Sequence, residues 1–565
     1  MADDQKALRG ADIVVRSLER LGCERIFTLS GNHIMSLFDA ALETKLDLVH
    51  VRHEAAAVHM ADAWGRLTGK PGIAMVTGGP GHANAVGALF TALGAESPMV
   101  LLSGHAATWE LGRGGFQEIR QADMAAPVSK ASFTATTAAT LGRDVGEAVR
   151  IASSGRPGPV HLSLPSDLLE ERVESNAIVW PAPAPAHSPS KTGVNALMRG
   201  EGREGVGLSD AVADATLAAL AAAARPIILA PPQLSNVSGR ALLARLEAAT
   251  RTPAVIIESP RGIADATLGA FSDLVPRADL IVLIGKALDF TTRWLGGKSF
   301  DPNVRLIAID PEAALVERAA REMDGRLVIG CIADVRRAAE TLIARAAAAT
   351  PRDAAWLAQA RAALDNRPAA WANVVAQTPD RLHPAEVFRV LRPYLERDPD
   401  TVLICDGGEF AQWGQSMLPV RRRMINGVAG SIGGSLSFAN AARLAEPRAP
   451  VFVVLGDGTI GFHLAEFETA ARRNLPFVAI LGNDALWNAE SQIQLREYGR
   501  ERMHGCTLTP ARYDLAVAAL GGHGELVERA AGLAPAIERA LESRKPACIN
   551  VMIESTAAPV IRLRG

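Results

Sequence analysis

Val451-Phe452-Val453-Val454-Leu455-Gly456-Asp457-Gly458-Thr459-Ile460-Gly461 is the stretch on which the fold turns. An apolar run ends on Gly-Asp-Gly, which reads as a buried strand carrying a carboxylate to the point where strand meets helix. Thr459–Arg473 then reads as a helix, Asn474-Leu475-Pro476 as a turn, and Phe477–Leu481 as a second strand ending on Gly482-Asn483-Asp484. Two neighbouring strand tips thus bring Asp457 and Asp484 toward one point, a pattern suited to Mg²⁺ holding a phosphorylated cofactor. Gly456 and Gly458 let the backbone approach a phosphate closely, and Thr459 opens a helix whose N–H groups can face the anion. The Leu486 backbone carbonyl can complete the protein's share of the metal ligands. Taken alone, Gly-Asp-Gly is also a common turn; the whole interval carries the reading.

Working outward, the same alternation of short apolar runs and amphipathic helices fills the chain. In the last third, Thr401–Cys405 and Ala547–Ile553 are further strands. A middle block has strands at Pro226–Leu229, Ala254–Ile257, Leu280–Ile284 and Arg305–Ile309. A first block runs from a helix over 8–22 into Arg25–Leu29, then Leu46–Val49, Gly72–Thr77, Met99–Ser103 and Pro159–Leu164. This predicts three consecutive α/β domains with mostly parallel sheets, at 1–180, 195–345 and 375–558. The Pro-Ala run in 181–194 reads as a stiff linker and 346–374 as a second linker. Blocks one and three match in size and alternation without sequence identity that proves a duplication. In the middle block, Gly285 and Asp310 sit at strand ends as in nucleotide-binding domains, but no GxGxxG fingerprint is present. A purely structural domain is the plainer reading; ADP or CoA there is the other.

The bulk numbers exclude several classes. A chain of 565 residues is too long for one core. Its 59 basic and 61 acidic residues leave a formal charge of −2, which offers no broad nucleic-acid or membrane surface. Arg421-Arg422-Arg423 reads as a solvated edge or a cofactor or interface contact. Cys23, Cys331, Cys405, Cys506 and Cys548 lack metal-ligand spacing and fit reduced thiols. The acidic, polar start argues against a signal peptide, and no apolar run reaches membrane-spanning length, so a cytoplasmic protein is expected.

A second constellation, Val51-Arg52-His53-Glu54-Ala55-Ala56-Ala57, follows a strand and opens a helix. A Glu in a first helical turn is ordinary on dipole grounds alone. Together with Val76-Thr77-Gly78-Gly79-Pro80-Gly81-His82-Ala83-Asn84 and the Gly456–Asp484 interval, however, it resembles the thiamine diphosphate-dependent enzymes over nearly the whole chain. The group with acetolactate synthase, benzaldehyde lyase and the oxalyl-CoA or 2-hydroxyacyl-CoA enzymes is the most similar.

That resemblance implies thiamine diphosphate and Mg²⁺ as cofactors. It makes Glu54 the buried carboxylate that contacts the aminopyrimidine and promotes ylide formation, with a pKa raised by burial. It makes Asp457, Asp484 and the Leu486 carbonyl the metal ligands. The family has Asn where this chain has Asp484, so one extra negative charge lies beside the diphosphate; a register with Asn483 on the metal is the alternative. In Gly430-Ser431-Ile432-Gly433, Ile432 is the candidate prop that bends the cofactor, with Ser431 beside it, though core packing explains Ile432 as well. Gly408 and Glu409, after Asp406-Gly407, are further cofactor neighbours, as is Trp487.

On the substrate side, the resemblance makes His33, in Ser30-Gly31-Asn32-His33, and Gln117, in Gly115-Phe116-Gln117-Glu118, the proton-handling pair; each alone is more often a surface or structural residue. His82 is a weaker candidate. Leu486, Trp487, Glu490, Ile493 and Gln494 can line a substrate pocket on one helical face, or pack between domains. The implied reaction is C–C cleavage or carboligation through ylide and enamine on a 2-hydroxyacyl-CoA or 2-hydroxy ketone. An acetolactate synthase-like 2-keto acid decarboxylase is the alternative, and a catalytically degenerate structural homologue the remaining one. FAD is not expected, because the segment between Glu258 and Ile281 is short. Arg261, Lys286 and Arg293 are candidate contacts for CoA or an adenine nucleotide. Family members pair the two cofactor-binding blocks between subunits, so a homodimer is the implied minimum and a homotetramer is common.

Overall fold

The computed structural model describes residues 7–182, 207–346 and 354–563. They divide into two compact units. One holds the described residues up to 182 with Leu436–Pro447 and His463–Arg473; the other holds the remainder.

In the first unit, six parallel strands form one sheet in the spatial order Asp47–His50, Arg25–Thr28, Gly72–Val76, Met99–His105, Pro159–Pro165, Ala131–Thr134. Central strands bear apolar side chains on both faces, as a helix-covered parallel sheet requires; Val100, Leu102, Val160 and Leu162 are fully buried. Each such side chain contributes about 1.5–3 kcal/mol. Chain order reverses between Arg25–Thr28 and Gly72–Val76, and the carboxyl end of that switch point is where open α/β sheets hold ligands. The loops of His33 and Gly78-Gly79 leave from it. Helix Glu54–Thr68 starts where the His53 ring nitrogen accepts the Ala55 N–H, and stops at Gly69 with φ 71°. Helix Pro80–Gly94 follows Gly79 at φ 58°, with Pro80 at its first position.

The second unit carries two parallel sheets. The middle one has the order Ala254–Ile256, Pro226–Ala230, Leu280–Ile284, Arg305–Asp310, Leu327–Ile332. The other runs Arg422–Ile425, Val402–Asp406, Val451–Gly456, Val478–Asn483, Ala547–Met552, His523–Val527. Numbered along the chain, this six-stranded sheet repeats the connectivity of the first unit's sheet, second-first-third-fourth-sixth-fifth. Its switch point lies between Val402–Asp406 and Val451–Gly456, so Gly407 and Asp457 stand at its carboxyl edge.

Three expectations need correction. The helix expected over 8–22 spans Gly10–Arg20, and Leu8–Arg9 instead pairs antiparallel with Arg172–Val173. The helix expected over Thr459–Arg473 is two pieces, Asp457–Ile460 and Glu466–Arg472. Three-residue turn bonds, Phe462 N–H to Thr459 O and Glu466 N–H to His463 O, replace the helical ladder between them. Arg423 is not a solvated edge: it lies in a strand and is ion-paired with buried Glu258. Within the stretch read as the second linker, helix Ala355–Asp365 adds Trp356, Ala360 and Ala363 to the core on one face of the middle sheet. Of the expected linker 181–194, residues 183–194 lie outside the described residues.

Candidate active site

Strand Val451–Gly456 carries Asp457 into a buried position, with only 2% of its surface exposed. Burial pushes its pKa up to about 6, against the pull of the nearby Gly458, Ala485 and Leu486 backbone. Its Oδ2 has no hydrogen-bond partner among the described residues. Asp484, at the end of the neighbouring strand, is pushed up to about 7, first by burial and then by the charge of Asp457. Two desolvated carboxylates that repel each other, one with an orphaned oxygen, suit a hard cation.

The rest of the ligand set is consistent with that. The Asn483 side chain is spent: Nδ2 donates to Ala511 O and Asn550 Oδ1 at 3.1 Å each, and Oδ1 accepts the Ala485 N–H. The Ala485 carbonyl accepts the Leu508 N–H at 2.7 Å, whereas the Leu486 carbonyl takes no backbone N–H among the described residues. The backbone of Ala485 lies in the left-handed region at φ 58°. These details favour Asp484 with Leu486 over the Asn483 register. Among the described residues no group of three or more His, Cys, Asp or Glu converges as a metal site. A cation bound here would have two carboxylates and backbone oxygen to meet, the ligand types that suit Mg²⁺.

Space for the diphosphate is present too. A Cβ at Gly456 would meet nothing within 4 Å, so the backbone there is open to a ligand. A Cβ at Gly458 would lie 2.7 Å from the Trp487 ring, so this glycine seats Trp487. A Cβ at Gly407 would lie 1.9 Å from Thr459 Oγ1, which packs the two switch-point loops together. Tyr513 donates its hydroxyl to the Asp457 carbonyl at 3.2 Å. The residues thus fit Mg²⁺ and a diphosphate.

Buried Asp406 organises the next loop. Its carboxylate accepts the N–H groups of Gly433, at 3.0 Å, and Ser435, at 2.9 Å. Half-buried Ser431 and Ile432 are held between Gly430 at φ 69° and Gly433 at φ 99°. Glu409 accepts the Ala558 N–H at 2.5 Å; burial raises its pKa, Arg261 opposes that and Glu490 adds to it. Gln494 is not free for a substrate, since its amide both donates to and accepts from the His504 backbone at 2.9 and 2.8 Å. Glu490 and Ile493 are exposed. In the middle block, Lys286 pairs with Asp289 at 2.6 Å and Arg293 donates to Ser299 Oγ at 2.5 Å, so both are committed locally.

In the first unit, Glu54 is half-buried, less than expected; Asn84 donates to its Oε2 at 3.0 Å. His33 is 6% exposed, its Nδ1 lies 3.2 Å from Thr77 Oγ1, and its ring stacks on Phe116 at 6.0 Å. Burial lowers its pKa, against the Phe116 backbone and Glu110. Neighbouring Gln117 has φ 58°. The two expected proton-handling residues thus share one loop cluster. His82 is sealed inside, with Nδ1 2.8 Å from Ser103 Oγ, and burial lowers its pKa to about 4, so it does not face a substrate. Sequence reasoning missed Asp406, Tyr513 and Gln121, which act through contacts distant in the chain.

Comparison with known proteins agrees with this geometry. Residues 8–124 match the thiamine pyrophosphate enzyme N-terminal TPP binding domain, and residues 406–551 match the C-terminal TPP binding domain. The chain belongs to the thiamine pyrophosphate enzyme family. It is 31% identical to a probable acetolactate synthase of Mycobacterium bovis, covering 98% of this chain and 97% of that one. It is 29% identical to 2-hydroxyacyl-CoA lyase 2 of Caenorhabditis elegans, covering 98% and 91%. It is 28% identical to the catabolic acetolactate synthase of Raoultella terrigena, covering 98% and 96%. No helix among the described residues is long and apolar enough to cross a membrane.

Proposed function

We propose that this chain is a Mg²⁺- and thiamine diphosphate-dependent C–C lyase or carboligase acting on 2-hydroxyacyl-CoA or 2-hydroxy ketone substrates. The observation that carries this reading is buried His33 stacked on Phe116, whose chain neighbour is half-buried Gln117. Thiamine diphosphate, when bound, supplies a nucleophilic carbon and an electron sink for breaking or making a C–C bond. Glu54 would face the aminopyrimidine as its proton-exchange partner, and Asn84 fixes the orientation of that carboxylate. Asp457, Asp484 and the Leu486 carbonyl hold Mg²⁺. Gly456 and Thr459 would hold the diphosphate, Ile432 would support the cofactor, and Trp487 would exclude water. Neutral His33 takes or gives a proton at an imidazole nitrogen, and the Gln117 amide orients the substrate oxygen.

An acetolactate synthase-like reaction on 2-keto acids is the second reading, favoured by the identity with the Mycobacterium bovis relative. We further propose a cytoplasmic homodimer or homotetramer and domain boundaries near those read from the sequence. CoA or ADP in the middle block stays tied to the acyl-CoA reading. The test is turnover of pyruvate, benzoin, oxalyl-CoA and 2-hydroxyacyl-CoAs with Mg²⁺ and thiamine diphosphate, with products identified by mass spectrometry. Aldehyde release from a 2-hydroxyacyl-CoA or from benzoin supports the lyase; acetolactate from pyruvate supports the second reading. No product, together with no cofactor-dependent proton exchange, overturns both.

A further inference from the structure

Behind the loops of His33 and Gln117 lies a sealed polar cluster that the reaction above does not use. Its centre is Gln121, 1% exposed. Oε1 accepts the Gly79 N–H at 2.9 Å, and Nε2 donates to Gly104 O at 3.1 Å and Ser163 Oγ at 3.0 Å. Ser163 Oγ lies 3.3 Å from His161 Nε2, whose Nδ1 meets Ser132 Oγ at 2.8 Å.

Each end of the Gln121 amide holds one half of the proton-handling pair. Gly79 stands at φ 58°, and a Cβ there would lie 2.5 Å from Gln117 O and 2.7 Å from Gln117 Cβ. A Cβ at Gly104 would lie 2.6 Å from His33 Cβ. Gln117 thus rests on Gly79 and His33 rests on Gly104, with no side chain between to absorb a shift. We propose that Gln121 is a positioning residue: by bonding Gly79 and Gly104 with one amide, it fixes the spacing of Gln117 and His33 at the reacting carbon. This rests on the proposed role of that pair.

The residue type follows from the chemistry. The site needs an acceptor for Gly79 and two donors, for Gly104 and Ser163, on one planar group; an amide supplies all three while uncharged, and a protonated carboxyl supplies only one donor. Methionine fills the volume with neither. An ionised Glu keeps the acceptor and turns repulsive toward the Gly104 carbonyl, whereas a protonated Glu recovers a donor.

The experiment compares the full-length wild type with Gln121→Met and Gln121→Glu. For Gln121→Met the expected result is a kcat loss of about 10–100-fold with little change in KM, because misplacement by an ångström costs about that much. Thiamine diphosphate affinity should hold. Hydrogen exchange followed by mass spectrometry, without cofactor, should be faster in peptides covering 77–84 and 112–120 only. Gln121→Glu should regain activity relative to wild type as pH falls. Val145→Ala, in the same unit's core, is the control for lost stability. Unchanged exchange in both segments overturns the inference, as does a kcat loss matched by that control at equal melting temperature. If the wild type shows no cofactor-dependent turnover, the proposed function fails, while the exchange readout still decides what Gln121 holds.

Discussion

At the residue scale, charge economy explains the site. Asp484 stands beside buried Asp457 and each makes the other harder to ionise. Asp484→Asn should therefore raise the melting temperature of the metal-free chain, by about 1–3 kcal/mol of stability, and shrink the further gain on adding Mg²⁺ and thiamine diphosphate. Melts in EDTA and with both ligands measure this; a lower melting temperature in EDTA would count against the repulsion. Glu54→Gln should fold normally yet lose about 10²–10⁴-fold in turnover, since a proton relay is removed and little packing is. Turnover near wild type would sink its assigned role. Asp457, Asp484 and Glu54 were legible in the sequence because a strand tip or helix start announces each locally. Asp406, Tyr513 and Gln121 were not. Asp406 reaches Ser435 across 29 positions, and Gln121 reaches Gly79 across 42, so only the folded sheet shows what they hold.

Elements were legible in proportion to their burial. Every central strand of the three large sheets appeared as an apolar run. The strands that went unread, Ala131–Thr134, Leu327–Ile332, Arg422–Ile425 and His523–Val527, all lie at sheet edges. An edge strand has one neighbour, and Ala131–Thr134, Arg422–Ile425 and His523–Val527 carry polar side chains that blur the pattern into that of a loop, whereas Leu327–Ile332 is apolar and half-exposed. The break between Asp457–Ile460 and Glu466–Arg472 was missed for another reason: Phe462 leaves the helix line to cover Gly433, where a Cβ would lie 2.5 Å from it. The short helix Asp457–Ile460 also carries a prediction. Gly458→Ala places a methyl against the Trp487 ring and should cost about 1–3 kcal/mol by overpacking. Adding Trp487→Ala should return the stability lost to that clash, beyond the sum of the single effects, in a double-mutant cycle of urea unfolding. Additive losses would mean that the ring is not the obstacle.

At the scale of the whole molecule, one connectivity appears in two six-stranded sheets, and each switch point carries one half of the expected chemistry. Within the second unit, Glu258 joins the middle sheet to the strand Arg422–Ile425. Burial disfavours its charge, but Arg240, at 3.0 Å, and Arg423 outweigh that and bring it from an ordinary 4.5 to about 2. A depressed carboxyl stabilises fully above its unfolded value and loses that contribution as pH falls from about 4.5 toward 2. The amount at stake is about 3 kcal/mol. Glu258→Gln should lower the urea midpoint at pH 7 and flatten the acid limb of stability; an unchanged acid limb would assign that limb to other carboxyls.

The largest-scale prediction concerns how many chains make a site. Glu54 lies in one compact unit and Asp457 in the other, and the family resemblance pairs these blocks between subunits. Under that pairing, Glu54→Gln and Asp457→Asn chains are each inactive alone. A mixed dimer then holds one doubly altered site and one intact site. Equal mixing and reassembly should make about half the dimers mixed and return about a quarter of wild-type turnover, as two-fold symmetry requires. Sites built within single chains give no recovery at any mixing ratio. Turnover measured across a titration of one variant into the other separates the two, because shared sites yield a maximum at equal amounts and self-contained sites yield a flat line.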